Sequence, residues 1–548
     1  MKIMLLLTCL YIALPWSFAQ YEDYEFGEIS REEKALESVP GYPDADAYIL
    51  FDRLEVEMVV SPVTRELELK QTVSRRIKLF EESSFYRAHV AVNYFQEEEF
   101  KRFKASVYYA DGGVLELDHS DLTCKGIEAG LYECAFSFPH VEKGSIIEYT
   151  YELQADLFSF DRLPVHYFQD DLPCRWSEYV VVKPQDFHYV YLDELPNFDL
   201  IERVENPRLS GFFGEIVSIY THDRYVLKDV PPVEVEPHVN NLQDYMPRIR
   251  KHIDFVNWQN IIFNSESYTW EYLAKDIRRK SIWKNINLRA RGSRFLRDVE
   301  PLLVGVGTDL EKAKVVYRLL NNQMRWDQNY DCLSDASPNR IWDRRVGNSA
   351  EINALLLYAL RQLGIDARPV LIGLRGYGHP MEDFPDLSQF NHMLVYAELD
   401  GEKRLLDVAG HTLPFGYVRP LALNNKGWLL GDDSADWIYI QAPIAKEHVD
   451  VEIDWEANGM ARVRAQTNSG GYFGLIARDD MLNAGKDTPV RPFIDQISSR
   501  YPESVLIEER LPHADNPEQP YFYSFDMELP LGQQVGDELS FRPLLLDY

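Results

Sequence analysis

Val346-Gly347-Asn348-Ser349-Ala350-Glu351-Ile352-Asn353-Ala354-Leu355-Leu356-Leu357-Tyr358-Ala359-Leu360-Arg361-Gln362-Leu363-Gly364-Ile365-Asp366-Ala367-Arg368-Pro369-Val370 reads as a loop, a helix and then a strand. Gly347 closes the preceding segment. Asn348 is a good N-cap, and Glu351, three residues on, stands where a capping box places its second member. Ala354, Leu355, Tyr358, Ala359 and Leu363 fall on one apolar helical face. Gly364 supplies a left-handed stop. Val370-Leu371-Ile372 then reads as a short buried strand.

Ser349 therefore occupies the first turn of a buried helix. Backbone N–H groups there have no helical partner and the helix dipole is positive. A developing oxyanion is stabilised at such a spot, and catalytic cysteines favour it because it lowers the thiol pKa. Two further residues complete a constellation. His392 lies in Phe390-Asn391-His392-Met393-Leu394-Val395, 43 residues after Ser349, and Asp407 lies in Leu405-Leu406-Asp407-Val408, 15 residues further on.

Asn391 to Leu399 and Glu402 to Val408 flank Asp400-Gly401, a hairpin signal. With a two-residue turn, 399 faces 402 and 407 faces 394. His392 and Asp407 then become diagonal neighbours on one face, about 7 Å apart by Cα. A four-residue loop preserves this arrangement, whereas a three-residue loop puts the two on opposite faces.

On these residues the stretch resembles the core of transglutaminase-like proteins. That family shares a papain-like arrangement, with a nucleophile at a helix N-terminus, a His on a strand and an Asp on the next strand. The matching positions are Ser349, His392 and Asp407, and the departure is that serine stands where the family has cysteine. The resemblance implies a fold and a cleft, and does not by itself imply an activity. A similar Trp-containing strand precedes the family's nucleophile loop, so Trp326 either walls the cleft or packs; Asn348 and Asn391 are its other expected supports.

The chain of 548 residues is long enough for three or four domains. Its 13% aromatic content, with 33 Tyr, points to β-rich domains. A net charge of −31 argues against nucleic acid or an anionic membrane surface as main partner, since both would be repelled. Lys2, the apolar run Ile3 to Phe18 and Ser17-Phe18-Ala19 before Gln20 read as a signal peptide over 1–19. The run falls short of the roughly 20 residues that span a bilayer. Cys9 faintly resembles a lipoprotein box but sits inside that run. Export to the periplasm or cell envelope is the expected destination. Cys124, Cys134, Cys174 and Cys332 would remain, with Cys124 and Cys134 spaced to close a loop. Cys332 reads as buried and single, with a displaced nucleophile as the sharper alternative.

The expected architecture is α+β and multidomain. An acidic leader (20–46) precedes an antiparallel β-sandwich (47–229). Tyr167-Phe168-Gln169, Leu172-Pro173 and Trp176-Ser177-Glu178-Tyr179 resemble, over about 50–210, a domain of unknown function that precedes transglutaminase-like cores in exported proteins of the Bacteroidota type. A helical linker region (230–304), with helices expected over Tyr245 to Trp258 and Tyr268 to Ile282, leads to the papain-like α+β core (305–440). Trp258, Trp270 and Trp283 read as packing residues. Thr308 and Glu311 form a capping box in the core. A second β-sandwich module (441–548) follows, in which Val449, Val451, Ile453 and Trp455 face Ala461, Val463 and Ala465 if the loop has three residues.

Three chemistries compete. In a Ser-His-Asp hydrolase, His392 is the general base and Asp407 orients it; transglutamination through Ser349 would use the same groups. In a silent module, Ser349 caps the helix, His392 is a satisfied histidine and Asp407 is its partner. In a metal site, His379, His392 and His411 would be ligands, but no tight ligand spacing supports it. No metal or cofactor is expected. The preferred reading is a silent transglutaminase-like module of the cell envelope that binds peptide, glycan or another envelope protein. The Gly373 to Phe390 loop, with Arg375, Tyr377, His379 and Asp383, is a candidate lid.

Overall fold

The computed structural model describes residues 24–61, 66–128, 130–156, 163–210, 216–236, 239, 241–258, 261–264, 269–287, 293–410, 413–456, 459–484, 492–511, 516–535 and 538–541. Residues 1–23, which include the expected signal peptide with Cys9, and also Tyr268 and His411, lie outside them. The chain divides into two compact units, Met1–Ser267 and Tyr268–Tyr548.

The N-terminal unit is built on an eight-stranded sheet. Its strands are β1 (Ala47–Val60), β2 (Leu67–Leu79), β3 (Glu98–Tyr108), β4 (Val114–Leu117), β5 (Ile146–Asp156), β6 (Cys174–Pro184), β7 (Leu200–Ser210) and β8 (Ile216–Val230), in the order β7-β8-β6-β1-β2-β5-β3-β4. All neighbours are antiparallel except β1 and β6, which run parallel with Ile49 opposite Cys174. On β6 the run Tyr179-Val180-Val181-Val182 is buried on both faces, whereas β1 beyond Phe51 alternates buried Leu54, Val56 and Met58 with Arg53, Glu55 and Glu57. One half of the sheet is covered by a three-stranded sheet of His89–Phe95, Thr123–Glu128 and Leu131–Ser137. There Phe103, Phe136, Ile147 and Tyr149 form the core. Cys124 and Cys134 face each other within that small sheet and are joined by a disulfide, as their spacing predicts.

The other half is covered by Phe187–Tyr191 paired with Lys251–Trp258, enclosing Met58, Tyr179, Phe187 and Val256. This corrects the helix expected over Tyr245 to Trp258. Residues 251–258 form a strand because Ile253, Phe255 and Val256 are β-branched or aromatic and find a strand edge to pair with, which outweighs a weak helical period. Residues 24–46 lie against the same unit, with Tyr24 stacked on Phe51 at 3.8 Å.

The C-terminal unit centres on one helix. Helix α1 (Asp309–Gln323) opens with the Thr308–Glu311 capping box, and α2 (Ser349–Gln362) opens with that of Asn348 and Glu351. Every residue of α2 from Ser349 to Leu360 is buried, so the single apolar stripe read from the sequence understates it. Such a helix belongs in the centre of a core. It packs on a five-stranded sheet of β9 (Ala367–Ile372), β10 (His392–Leu399), β11 (Glu402–Leu406), β12 (Lys426–Leu430) and β13 (Ala435–Tyr439), ordered β11-β10-β9-β12-β13. Trp270, from the helix Trp270–Arg279, packs against Trp428 at 4.7 Å, and Trp283 is buried, so both have packing roles. The side chain of Trp258 lies outside the described residues.

The last region has a four-stranded sheet of β14 (Glu447–Trp455), β15 (Ala461–Ser469), β16 (Val505–Arg510) and β17 (Tyr521–Leu529), ordered β14-β15-β17-β16. Val451 faces Ala465 and Ile453 faces Val463, and Glu456 N–H bonds to the Met460 carbonyl, so the loop has three residues as expected. The second layer is different from a sandwich. Val463, Phe525 and Met527 pack against Ile494 and Ile497 of helix α4 (Pro492–Arg500), with Ala477 of helix α3 (Tyr472–Ala484) beside them. Among the described residues no helix is long and apolar enough to cross a membrane.

Gly427 on β12 marks the tightest point of the core sheet. A Cβ there would lie 2.6 Å from Val370 Cγ1 and 2.7 Å from Ile372 Cγ2. Gly427→Ala should destabilise by about 1–3 kcal/mol through overpacking, read as a lower urea midpoint for the transition followed by Trp fluorescence.

Candidate functional site

The hairpin that carries two of the three residues closes as the spacing requires. Leu399 faces Glu402 and Val395 faces Leu406, leaving Asp400 and Gly401 as a two-residue turn. Both take positive φ, +52° and +87°, the type I′ geometry that Asp-Gly favours. His392 opens β10, and Asp407 directly follows β11. Ser349 arrives from α2, held by its capping box: Glu351 N–H donates to Asn348 Oδ1 at 2.9 Å, and Asn348 N–H donates to Glu351 Oε2 at 3.1 Å.

The three converge. Ser349 Oγ lies 2.9 Å from His392 Nδ1, and His392 Nε2 lies 3.1 Å from Asp407 Oδ2. All three are 0% exposed. Burial by itself would raise the Asp407 carboxyl, but the charges of Arg419 and His392 and their hydrogen bonds hold it well below the usual carboxylate range. Asp407 is thus an anion, and it assigns the Nε2 proton of His392. Burial pushes His392 down, partly offset by Asp407, with Arg419 lowering it further. The imidazole is neutral, and its bare Nδ1 accepts from the Ser349 hydroxyl.

Several residues that the sequence reading left out hold this arrangement. Arg419 Nε donates to Asp407 Oδ2 at 2.7 Å. Asn353 Nδ2 donates to Asp407 Oδ1 at 3.0 Å and to the Met393 carbonyl at 2.8 Å, while its Oδ1 accepts from Val408 N–H. Asn353 stands four residues after Ser349, on the same helical face, and a polar residue on an otherwise apolar helix is a readable signal. Tyr317 of α1 donates to the Asp407 carbonyl at 2.8 Å.

The start of α2 is covered by residues 329–331. Ser349 N–H donates to the Asn329 carbonyl at 3.0 Å, and Asp331 N–H donates to Ser349 Oγ at 3.1 Å. Trp326 Nε1 donates to the same Asn329 carbonyl at 2.9 Å. The Tyr330 ring meets the His392 ring edge-on at 5.8 Å. The Arg419 guanidinium lies 4.8 Å from the Trp326 centroid and 5.1 Å from that of Tyr330. Trp326 is therefore part of a roof over the constellation. Asn348 reaches that roof through Asp331 Oδ2 at 3.4 Å.

Asn391, next to His392, accepts on its Oδ1 from Leu374 N–H at 2.9 Å and so ties down the Gly373–Phe390 loop. That loop is further held by Asn424, which donates to the Gly373 and Gly378 carbonyls, and by Gln389, which donates to the Phe384 carbonyl. Burial, then the charge of Asp331, pushes the Cys332 thiol up to about 12, which disfavours the displaced-nucleophile alternative. Among the described residues no group of three or more His, Cys, Asp or Glu side chains is placed to hold a metal ion.

A serine at a helix N-terminus is bonded to a strand histidine that is bonded in turn to an aspartate, on a helix packed against an antiparallel sheet, which is the arrangement expected of a transglutaminase-like core apart from the serine. Residues 299–398 match the transglutaminase-like superfamily, and residues 68–206 match the domain of unknown function DUF3857, so the chain carries a transglutaminase-like core behind that domain. Among solved structures the chain is similar to a "putative protease from Parabacteroides distasonis", at 10% identity and a TM-score of 0.48, over 91% of this chain and 94% of that one. No curated protein matches the chain.

Two outcomes are expected from the electrostatics. Arg419→Met leaves the Asp407 charge buried without its cation and should cost about 3–5 kcal/mol in urea unfolding. The second concerns pH. The unfolded chain binds a proton on His392 below about pH 6.5 that the native imidazole refuses. Stability is therefore full above that pH and is lost as pH falls below it, and Asp407, held low in the native state, adds a loss in the same direction at still lower pH. Between about pH 7 and 5 the urea midpoint should fall, and His392→Gln should flatten that slope.

Proposed function

We propose that this chain is a catalytically silent transglutaminase-like protein, with Ser349 in place of the family's nucleophilic cysteine, acting as a binding or scaffold module of the cell envelope. The observation that carries this reading is the state of Ser349. Its hydroxyl is fully buried, and its own N–H, the natural oxyanion donor, is already bonded to the Asn329 carbonyl. An oxyanion site works by offering unoccupied donors to a developing charge. To expose this one, residues 329–331 would have to leave and break two buried hydrogen bonds, each costing about 1–3 kcal/mol when left unmade.

The chemistry of serine points the same way. A thiol titrates near pH 8.5, whereas an alcohol is far harder to ionise, and the helix N-terminus contributes only about 1 kcal/mol toward that. Export is supported by the Lys2 to Ala19 signal pattern and by the Cys124–Cys134 disulfide, which belongs in an oxidising compartment. The partner is a peptide, a glycan or another envelope protein.

A second reading rests on one observation, the retained alignment of Ser349 Oγ, His392 Nδ1 and Asp407 at 2.9 and 3.1 Å. It makes the same residues a Ser-His-Asp hydrolase that acts once the roof opens. A fluorophosphonate probe separates the two. The silent reading expects no labelling of wild type beyond that of Ser349→Ala. Labelling of wild type that disappears in Ser349→Ala would replace it with the hydrolase.

A further inference from the structure

The N-terminal unit contains a cavity of about 660 Å³, in the size range of small-molecule sites. Its floor is one face of β6, β8 and β7, where Lys183 faces Thr221, Thr221 faces Glu205, and Asp223 faces Arg203. Its roof is the ribbon in which Tyr191 faces Lys251, with Tyr189 on the same strand.

Three features of the lining call for a ligand. First, Thr221 Oγ1 and Tyr189 OH are buried and, among the described residues, have no hydrogen-bond partner. Buried polar groups are rarely left so, and each exception needs an account. Second, two buried ammonium groups line the cavity and neither makes an ion pair among the described residues. Lys183 donates to the Phe187 carbonyl at 2.7 Å. Lys251 donates to Tyr225 OH at 3.1 Å, which lies 2.6 Å from Tyr191 OH, and its Nζ sits among the rings of Tyr225 and Tyr191 at 4.5 and 5.1 Å. The nearby carboxylate of Asp223 is taken by Arg203 at 2.9 Å. Third, Asp186 and Glu205 also line the cavity, and both are more exposed than the lysines.

Two buried ammonium groups, Lys183 on the floor and Lys251 in the roof, want one anion between them. Carboxylates nearer the surface repel a second anion but accept hydrogen bonds from neutral hydroxyls. Tyrosine faces suit the C–H face of a ring. We propose that this cavity binds an acidic sugar, with its single carboxylate on Lys183 and Lys251 and its hydroxyls shared among Thr221, Tyr189, Asp186 and Glu205. The site is separate from Ser349, so its failure leaves the silent reading untouched.

The proposal carries a pH signature. Burial pushes Lys251 down to about 7, with Asp223 partly restoring it and Lys183 and Arg203 lowering it further. A bound carboxylate favours the ammonium form, so binding takes up a proton and weakens as pH rises through 7.

The test is calorimetric titration of the full chain with D-glucuronate, with D-glucose and acetate as comparison ligands. Glucuronate should bind at pH 6, bind about tenfold more weakly at pH 8, and exceed both comparison ligands. Lys251→Met should weaken it by at least about tenfold. Thr221→Val fills the same space and removes an unpaired hydroxyl. It should keep or raise the melting temperature while weakening glucuronate several-fold, a combination that a purely structural threonine would not give. No binding by wild type at about 10 mM glucuronate and pH 6, a limit near 3 kcal/mol of affinity, would overturn the proposal. So would equal binding of glucose or acetate, or glucuronate affinity unchanged in the folded Thr221→Val protein.

Discussion

A single buried negative charge organises the C-terminal unit. Asp407 has no contact with water, and an ionised carboxylate in that position survives only if its surroundings answer it. Arg419 answers with charge, Asn353 and the Ala409 N–H with hydrogen bonds, and His392 with its Nε2 proton. These partners come from the central helix, from strand β10 and from the segment beyond β11, so one charge fixes the relative positions of all three. Removing any partner leaves a cost that the others cannot absorb. The three-residue alignment therefore has a structural role whatever its chemistry: the histidine and the aspartate both stabilise the fold.

The roof over Ser349 and the cavity over Lys251 make a useful contrast. At Ser349 both the backbone N–H and the hydroxyl are already hydrogen-bonded inside the protein. At the cavity, the Thr221 and Tyr189 hydroxyls stand buried without partners among the described residues, and the Lys183 and Lys251 ammonium groups make hydrogen bonds there but no ion pair. A protein tolerates unmade bonds only where something else can make them. By that criterion the proposed cavity of the N-terminal unit has the better claim to a ligand.

Much of the core was legible because its signals are local. The capping box of Asn348 and Glu351 and the Asp400-Gly401 turn each depend on residues within a few positions of one another, and the turn alone sets the register that joins His392 to Asp407. Arg419 was not legible, because nothing in Tyr417-Val418-Arg419-Pro420 has a period or a spacing that points to Asp407. The roof was hidden for another reason: the Asn329 contact is made by a backbone carbonyl, which any residue would supply. Residues 251–258 misled because Lys251, His252, Asp254 and Asn257 interrupt the alternation that normally announces a strand. In the last region the strands were readable from alternation, but the helices α3 and α4 that cover them were not. The weak amphipathic pattern around Gly474 gave little sign of α3.

The parallel pairing of β1 with β6 sets an order of events in folding. Residues 61–173 separate the two strands, so the centre of the large sheet closes only after that whole stretch has been made, and contacts so distant in sequence form slowly. Until then the β1–β2 hairpin has one open edge along Ala47-Tyr48-Ile49-Leu50-Phe51, an apolar run able to pair with the wrong chain. The hairpin around Gly126 and Gly130, locked by its disulfide, needs no such wait. The N-terminal unit therefore matures from its periphery inward, and its most vulnerable interval is the time between the synthesis of β1 and the arrival of β6.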